Sequence, residues 1–356
     1  MRRLSETERL SPVEVLRDGK RLISFSCNDY LNLTQHPYIK AAAIAATEKY
    51  GAGSGASRLV TGNHPLYAEL ERQLAGLKGT DDACVFGSGY LANTGIIPAL
   101  TGSEDMVAVD ELSHACIYAG AQLSAARCHV FRHNDMNHLR EILDTNRTKH
   151  PHAMIVTDRV FSMDGNLAPV DVLSQIADDF DAWLMTDDAH SIGVLGGGTS
   201  SVPLQMGTLS KAIGAYGGYL CASRPVIDLI RTRCRTLIYS TGLPPGVIAA
   251  ASAAIDLIRN DPSYAALPLQ KARTFTKALN LADATSPIVP IILGTTDKAM
   301  EAARLLRDEG FLVIAIRPPT VPDGTARLRV TFSAAHEDAD IQRLADIIKT
   351  RVLDQT

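Results

Sequence analysis

The chain has 356 residues, 46% hydrophobic and 21% charged, and a formal charge of −4 at pH 7. That is long enough to bury a sizeable core, and it carries no basic field for nucleic acid and no apolar run of membrane-spanning length. The first residues, MRRLSETERLSPVEVL, lack the apolar stretch of a secretory signal, and the six cysteines are scattered without a CxxC pair, so a cytoplasmic protein without a disulfide framework or metal site is expected.

An N-terminal segment over residues 1–36 precedes two amphipathic helices, expected at 37–50 and 66–77, which flank the Gly/Ser-rich loop GAGSGASR (51–58). From about residue 80 to 222, short apolar runs alternate with helical patterns. Strands are expected at 83–86, 106–109, 128–131, 154–157, 183–186 and 218–221, and helices between them include 139–146 and 170–179. Apolar strands alternating with helices predict a mostly parallel sheet covered on both faces. After about residue 240 the order changes to a helix at 247–259, a proline-marked break, segments at 288–293, 298–309, 312–316 and 328–332, and a last helix at 338–352. The fold class is therefore α/β, with a large domain over 37–245 and a small α+β domain over 246–356.

Six segments carry candidate chemistry. Lys211 in TLSKAIG (208–214) follows an apolar stretch, where an amine can capture an aldehyde cofactor beside the Thr208 hydroxyl; a surface lysine at a turn is the plainer alternative. Asp187 and His190 in TDDAH (186–190) stand at a strand's C-terminal end, the edge at which open α/β sheets bind ligands; metal binding or a simple strand-end turn are the alternatives. FGSGYLAN (86–93) passes from strand to helix through glycines, where free amides at a helix N-terminus suit a phosphate or the glycines merely allow tight helix–strand packing. His114 in LSHA and Ser162 in VFSMDG also follow strands, while Arg327 and Arg329 alternate along one strand and so share a face, where they can fork onto a carboxylate or merely line a solvated surface.

In this order, together with NDYL (28–31) and TGNH (61–64), the segments resemble the α-oxoamine synthase family of pyridoxal 5′-phosphate (PLP) enzymes. The resemblance implies PLP fold type I, with a seven-stranded, mainly parallel sheet, and a homodimer with shared active sites. It implies that Lys211 binds the cofactor aldehyde, Asp187 pairs with the pyridine nitrogen, His114 stacks on the ring, and Ser162 and His190 contact its hydroxyl side. Gly89, Tyr90 and Thr208 would hold the phosphate, and Thr241 would reach the phosphate of the partner subunit. Asn28 and Arg329 would take the amino-acid carboxylate, Thr320 would contact substrate, and Arg2 would contact the acyl chain.

The stretch IRPPTVP (316–322) resembles the biotin-pathway branch, which implies condensation of L-alanine with a pimeloyl thioester of CoA or a carrier protein and release of CO2. The alternatives are the glycine- and serine-using branches or a non-catalytic subunit. Four features depart from the family pattern: Asp158–Arg159 replaces a glutamate and a small residue, Asn32 and Ala56 replace glycines, Ser191 follows His190 in place of glycine, and the stretch from His190 to Lys211 is shortened.

Overall fold

A computed structural model describes residues 4–196 and 202–354. The chain divides into two compact units, one made of His36–Phe161 with Leu167–Asn260, the other of the described residues up to Gln35, Ser162–Asn166 and those from Asp261 onward.

The second unit begins with a meander of β1 (Thr7–Arg9), β2 (Glu14–Arg17) and β3 (Lys20–Ser24). Arg17 pairs with Lys20 across Asp18 and Gly19, both at positive φ (51° and 75°), the two-residue Asp-Gly hairpin that matches strand twist.

The larger unit follows, with α1 (Pro37–Tyr50), α2 (Leu66–Lys78), β4 (Asp82–Phe86), α3 (Gly89–Leu100), β5 (Met106–Asp110), α4 (Ala115–Ser124), β6 (Arg127–Phe131) and α5 (Met136–Asn146). It continues through β7 (Ala153–Asp158), α6 (Val170–Asp179), β8 (Trp183–Asp187), β9 (Leu204–Thr208), β10 (Gly218–Ala222), α7 (Arg224–Arg233), α8 (Arg235–Ile238) and α9 (Pro245–Asn260). Its seven strands lie in the order β4-β10-β9-β8-β7-β5-β6, with only β10 antiparallel to its neighbours.

All six expected strands are present. The seventh, β9, has no clean apolar run because Gln205 and Gly207 interrupt it. Gly207 is required there, since a Cβ would come within 2.3 Å of the Tyr219 hydroxyl oxygen on the neighbouring strand.

The smaller unit resumes with α10 (Pro262–Ala278), β11 (Ile288–Gly294), α11 (Thr296–Asp308), β12 (Phe311–Leu312), β13 (Ile314–Ile316), β14 (Ala326–Thr331) and α12 (Asp338–Ile347). The segment over 312–316 holds two short strands: β12 adds parallel to β3, and β13 pairs with β14 in the sheet β11-β14-β13. The proline-marked break is instead α10, where Asp261 caps the Tyr264 amide (3.0 Å) and Pro262 takes the first helical position, at which a missing N–H is harmless.

The core of this unit gathers Phe25, Phe275, Phe311 and Phe332. His336 stacks on Phe25 (centroids 4.0 Å apart), accepts the Ser333 amide at Nδ1 and donates from Nε2 to the Ser24 carbonyl. Burial drives its pKa down from 6.5 to about 4. The unfolded chain therefore binds the proton first as pH falls, so stability is full above about pH 6.5 and is lost toward pH 4, by about 3 kcal/mol from this group. Urea denaturation of the wild-type protein at pH 7 and pH 4 should show that loss, and His336→Gln should lack it.

Candidate active site

The parallel strands of the larger unit deliver their C-terminal ends to one open cleft, the edge at which open α/β sheets bind ligands. Gly89 and Tyr90 follow β4, His114 follows β5, Asp158 and Asp187 end β7 and β8, and Thr208 and Lys211 end and follow β9; His190 lies after Asp187. Seven of the residues singled out in the sequence (Gly89, Tyr90, His114, Asp187, His190, Thr208 and Lys211) line this one cleft.

Asp187 is buried, and its carboxylate is held by two donors, the Asn93 amide at 2.7 Å and the Ala189 N–H at 2.9 Å. Hydrogen bonds to the charged form favour ionisation. Its register partner on the adjacent strand is Asp158, also buried, which accepts the His114 N–H at 2.8 Å. Burial first, and the Asp187 charge second, push the Asp158 carboxyl well above the usual range. Two neighbouring carboxylates in a dry site cannot both ionise cheaply, and it is the Asp158 carboxyl that burial and its neighbour push toward the protonated form.

Asp158 stands where the family pattern has glutamate, and the structure gives it a task at the cleft. Because its proton is retained in the fold but lost from the unfolded chain above about pH 4, Asp158 lowers stability as pH rises. Asp158→Asn, which keeps the acceptor for His114 and replaces the O–H by an N–H, should therefore raise the melting temperature of the apoprotein at pH 7, by an increment that shrinks toward pH 4.

At the other end of the cleft, Ser88 caps α3 by accepting the Leu91 amide (3.1 Å). The amides of Gly89 and Tyr90 lie in the first turn, where no intrahelical acceptor exists, and the helix dipole adds positive potential. A Cβ on Gly89 would lie 3.3 Å from Thr208 Cβ, so glycine lets the helix end abut β9. The Thr208 hydroxyl is fixed by the Gly217 carbonyl (2.7 Å) and the Ser210 amide (3.2 Å). Helix amides without an intrahelical acceptor, a buried carboxylate and a lysine amine line the same cleft, a donor set whose chemistry fits PLP.

His114 caps α4, where its Nδ1 lies 3.3 Å from the Cys116 amide nitrogen, at the long end of a hydrogen bond. Burial lowers its pKa against the pull of Asp187, and Lys211 lowers it further, so the ring is neutral. Ser191 is fully buried, donates to the Asp188 carbonyl (3.2 Å) and does not line the cleft. The serine found there in place of glycine thus leaves the cleft wall unchanged. Part of the shortened stretch lies outside the described residues, as does Arg2.

Thr241 is exposed, paired with Ser57 in an antiparallel bridge, and does not line its own chain's cleft. The remaining candidates belong to the smaller unit. Arg329 forks onto Asn28 Oδ1 (3.1 Å from each terminal nitrogen), and its Nε donates to the Ser162 carbonyl at 2.5 Å. Arg327 reaches the same segment, through the Asp164 carboxylate and the Met163 carbonyl. Both arginines are buried, 2% and 7% exposed, so the face they share is an internal clamp and not a solvated surface. The structure brings Asn28 and Arg329 together, and leaves Thr320 exposed in a turn after Pro319.

Sequence reasoning gave no role to Asn93, Cys116 or Asp158. Asn93 had one available signal, its position a helical turn after Gly89 and hence on the same face. Also unforeseen was the ion pair of Lys78 with Asp188, both buried. Among the described residues no group of three His, Cys, Asp or Glu side chains could hold a metal ion, and no helix is long and apolar enough to cross a membrane.

Residues 20–348 match the family "Aminotransferase class I and II". The chain is 61% identical to 8-amino-7-oxononanoate synthase of Methylocella silvestris over 95% of this chain and 99% of that one. It is 60% identical to a putative 8-amino-7-oxononanoate synthase of Parvibaculum lavamentivorans, over 99% and 93%. Among solved structures, a serine palmitoyltransferase from S. paucimobilis with bound PLP superposes with a TM-score of 0.92 at 31% identity, covering 96% of this chain and 90% of that one. The 8-amino-7-oxononanoate synthase from Francisella tularensis gives 0.80 at 27%, covering 94% and 98%.

Proposed function

We propose that this chain, which belongs to the aminotransferase class I and II family and within it to the α-oxoamine synthases, condenses L-alanine with a pimeloyl thioester to give 8-amino-7-oxononanoate, CO2 and the free thiol carrier. The observation that carries this reading is the meeting of Lys211, Asp187 and His114 in one cleft beside the α3 amides, in a chain about 60% identical to relatives bearing that activity's name.

The cofactor is PLP, which when bound supplies an electron sink for negative charge at the amino acid's Cα. Asp187, which accepts from Asn93 and Ala189, would pair with the pyridine nitrogen and hold it protonated so that the sink works. The His114 ring would cover the cofactor's face. Arg329 and Asn28 take the alanine carboxylate, and Lys211 removes the Cα proton as general base. Cα then bonds to the thioester carbonyl carbon and the thiolate departs. The original carboxyl leaves as CO2, and a proton returns to Cα. The chain acts as a homodimer in which Thr241 faces the partner subunit's phosphate site; the exposed apolar Leu59, Val60 and Tyr239, close in sequence to the Ser57–Thr241 bridge, support this.

The test is thiol release from pimeloyl-CoA and from pimeloyl carrier protein with alanine, glycine and serine, followed by mass analysis of the product. Alanine should give the highest kcat/KM. Serine or glycine overtaking it would move the chain to another branch, a comparison made pertinent by its likeness to serine palmitoyltransferase.

A further inference from the structure

We propose that Asn93 and Cys116 form a hydrogen-bond bridge that ties the carboxylate of Asp187 to the ring of His114, making Cys116 a positioning residue that sets the tautomer and plane of the ring. The proposal rests on the reading of this cleft as the PLP site, but it concerns groups that are in place without the cofactor.

Three contacts make the bridge. Asn93 Nδ2 lies 2.7 Å from Asp187 Oδ2 and 3.1 Å from Cys116 Sγ, and Sγ lies 2.8 Å from His114 Nδ1. Proton accounting gives each bond a direction. The Asn93 amide has two hydrogens, one for the carboxylate and one for the sulfur. Turned over, it would set its carbonyl against the Asp187 carboxylate, so its orientation is fixed. Its Oδ1 is buried with no partner among the described residues, so this side chain is held for its two donors at the expense of its acceptor.

Having accepted from Asn93, Cys116 has one hydrogen left, and Nδ1 of His114 is the acceptor in front of it. The thiol keeps that hydrogen at every working pH, because burial and the Asp187 charge raise its pKa to about 12. Nδ1 therefore accepts from the thiol and from the Cys116 amide, and Nε2 carries the ring proton. With the His114 N–H bound to Asp158 as well, the residue is held at both backbone and ring. Cys116 is 3% exposed and lines the cleft, so the bridge forms part of the wall the cofactor meets.

Three variants test it. Cys116→Ala removes the donor, Cys116→Val removes it while filling the space should alanine leave the protein unfolded, and Cys116→Ser restores an O–H with the same donor and acceptor capacity. The first readout needs no cofactor: 15N spectra of histidine-labelled apoprotein at pH 8, with the His114 signals assigned by their loss in His114→Asn. Wild-type and Cys116→Ser proteins should show a single tautomer protonated at Nε2, and Cys116→Ala or Cys116→Val a mixture.

The second readout is PLP itself. Affinity should weaken about three- to tenfold in the alanine and valine variants and recover in the serine variant, with a matching shift in the pH midpoint of the bound cofactor's absorbance. An Nδ1-protonated His114 in the wild type, or a tautomer and cofactor titration unchanged by Cys116→Ala or Cys116→Val, overturns the proposal. If PLP does not bind the wild-type protein at all, the cofactor reading fails, and the apoprotein spectra decide the bridge by themselves.

Discussion

Lys211→Ala should lower turnover of alanine with pimeloyl-CoA by about 10³-fold or more, since general-base catalysis alone is worth roughly 10²–10⁴-fold and the same amine also holds the cofactor. The loss should not come from unfolding, because Lys211 is only partly buried at the cleft and its truncation opens no hole in the core. The variant should still take up PLP, since the α3 amides, Thr208 and Asp187 remain, but should release it on gel filtration. Borohydride treatment followed by peptide mass analysis should place the cofactor's mass on the Lys211 peptide of the wild type and on no peptide of the variant. Lys211→Arg keeps the positive charge near Asp158 and His114 but cannot act as the amine, so it should be as inactive as alanine. A Lys211→Ala protein turning over at the wild-type rate would sink the mechanism.

The functional residues that could be read from the sequence share one property: each follows a short apolar run. A parallel strand buried on both faces is written as such a run, and its C-terminal end is where open α/β sheets bind ligands, so Asp187, His114 and Gly89 could be placed at one edge before any coordinates. The strand preceding Lys211 was harder, because β9 puts Gln205 and Gly207 on the face where Tyr219 crosses it.

The bridge residues were illegible for another reason. Asn93 and Asp187 are 94 positions apart, and Asn93 and Cys116 are 23 apart; no periodicity encodes such pairings, and a buried asparagine or cysteine in an apolar stretch looks like ordinary packing. The Asn28–Arg329 contact spans 301 positions, and only the family resemblance pointed to both residues. By contrast, the Asp18–Gly19 turn and the Asp261–Pro262 helix start are local signals that could have been read directly. Two-residue hairpins and capped helix starts are set by neighbouring residues alone, whereas clamps and networks are set by the finished fold.

Asp187→Asn should cost nearly as much as loss of Lys211, about 10²–10³-fold in kcat, the usual scale for removing a preorganised charge at a reacting centre. The substitution preserves shape but not polarity. The two oxygens of Asp187 face two donors, the amides of Asn93 and Ala189, so an asparagine must turn its own NH2 toward one of them, and no negative charge remains to hold the pyridine nitrogen protonated.

A second effect runs through Asp158. The Asp187 charge is one of the causes that raise the Asp158 carboxyl, so in Asp187→Asn that carboxyl should ionise at lower pH than in the wild type. The remaining negative charge would then sit one strand away from where the ring nitrogen needs it. The double variant Asp158→Asn/Asp187→Asn tests this coupling, because residues sharing one charge are non-additive. Its kcat should equal that of Asp187→Asn, while the pH dependence caused by the displaced charge should vanish. If the two losses multiply as independent effects, the carboxylates do not share one negative charge, and the division of labour assigned to them is wrong.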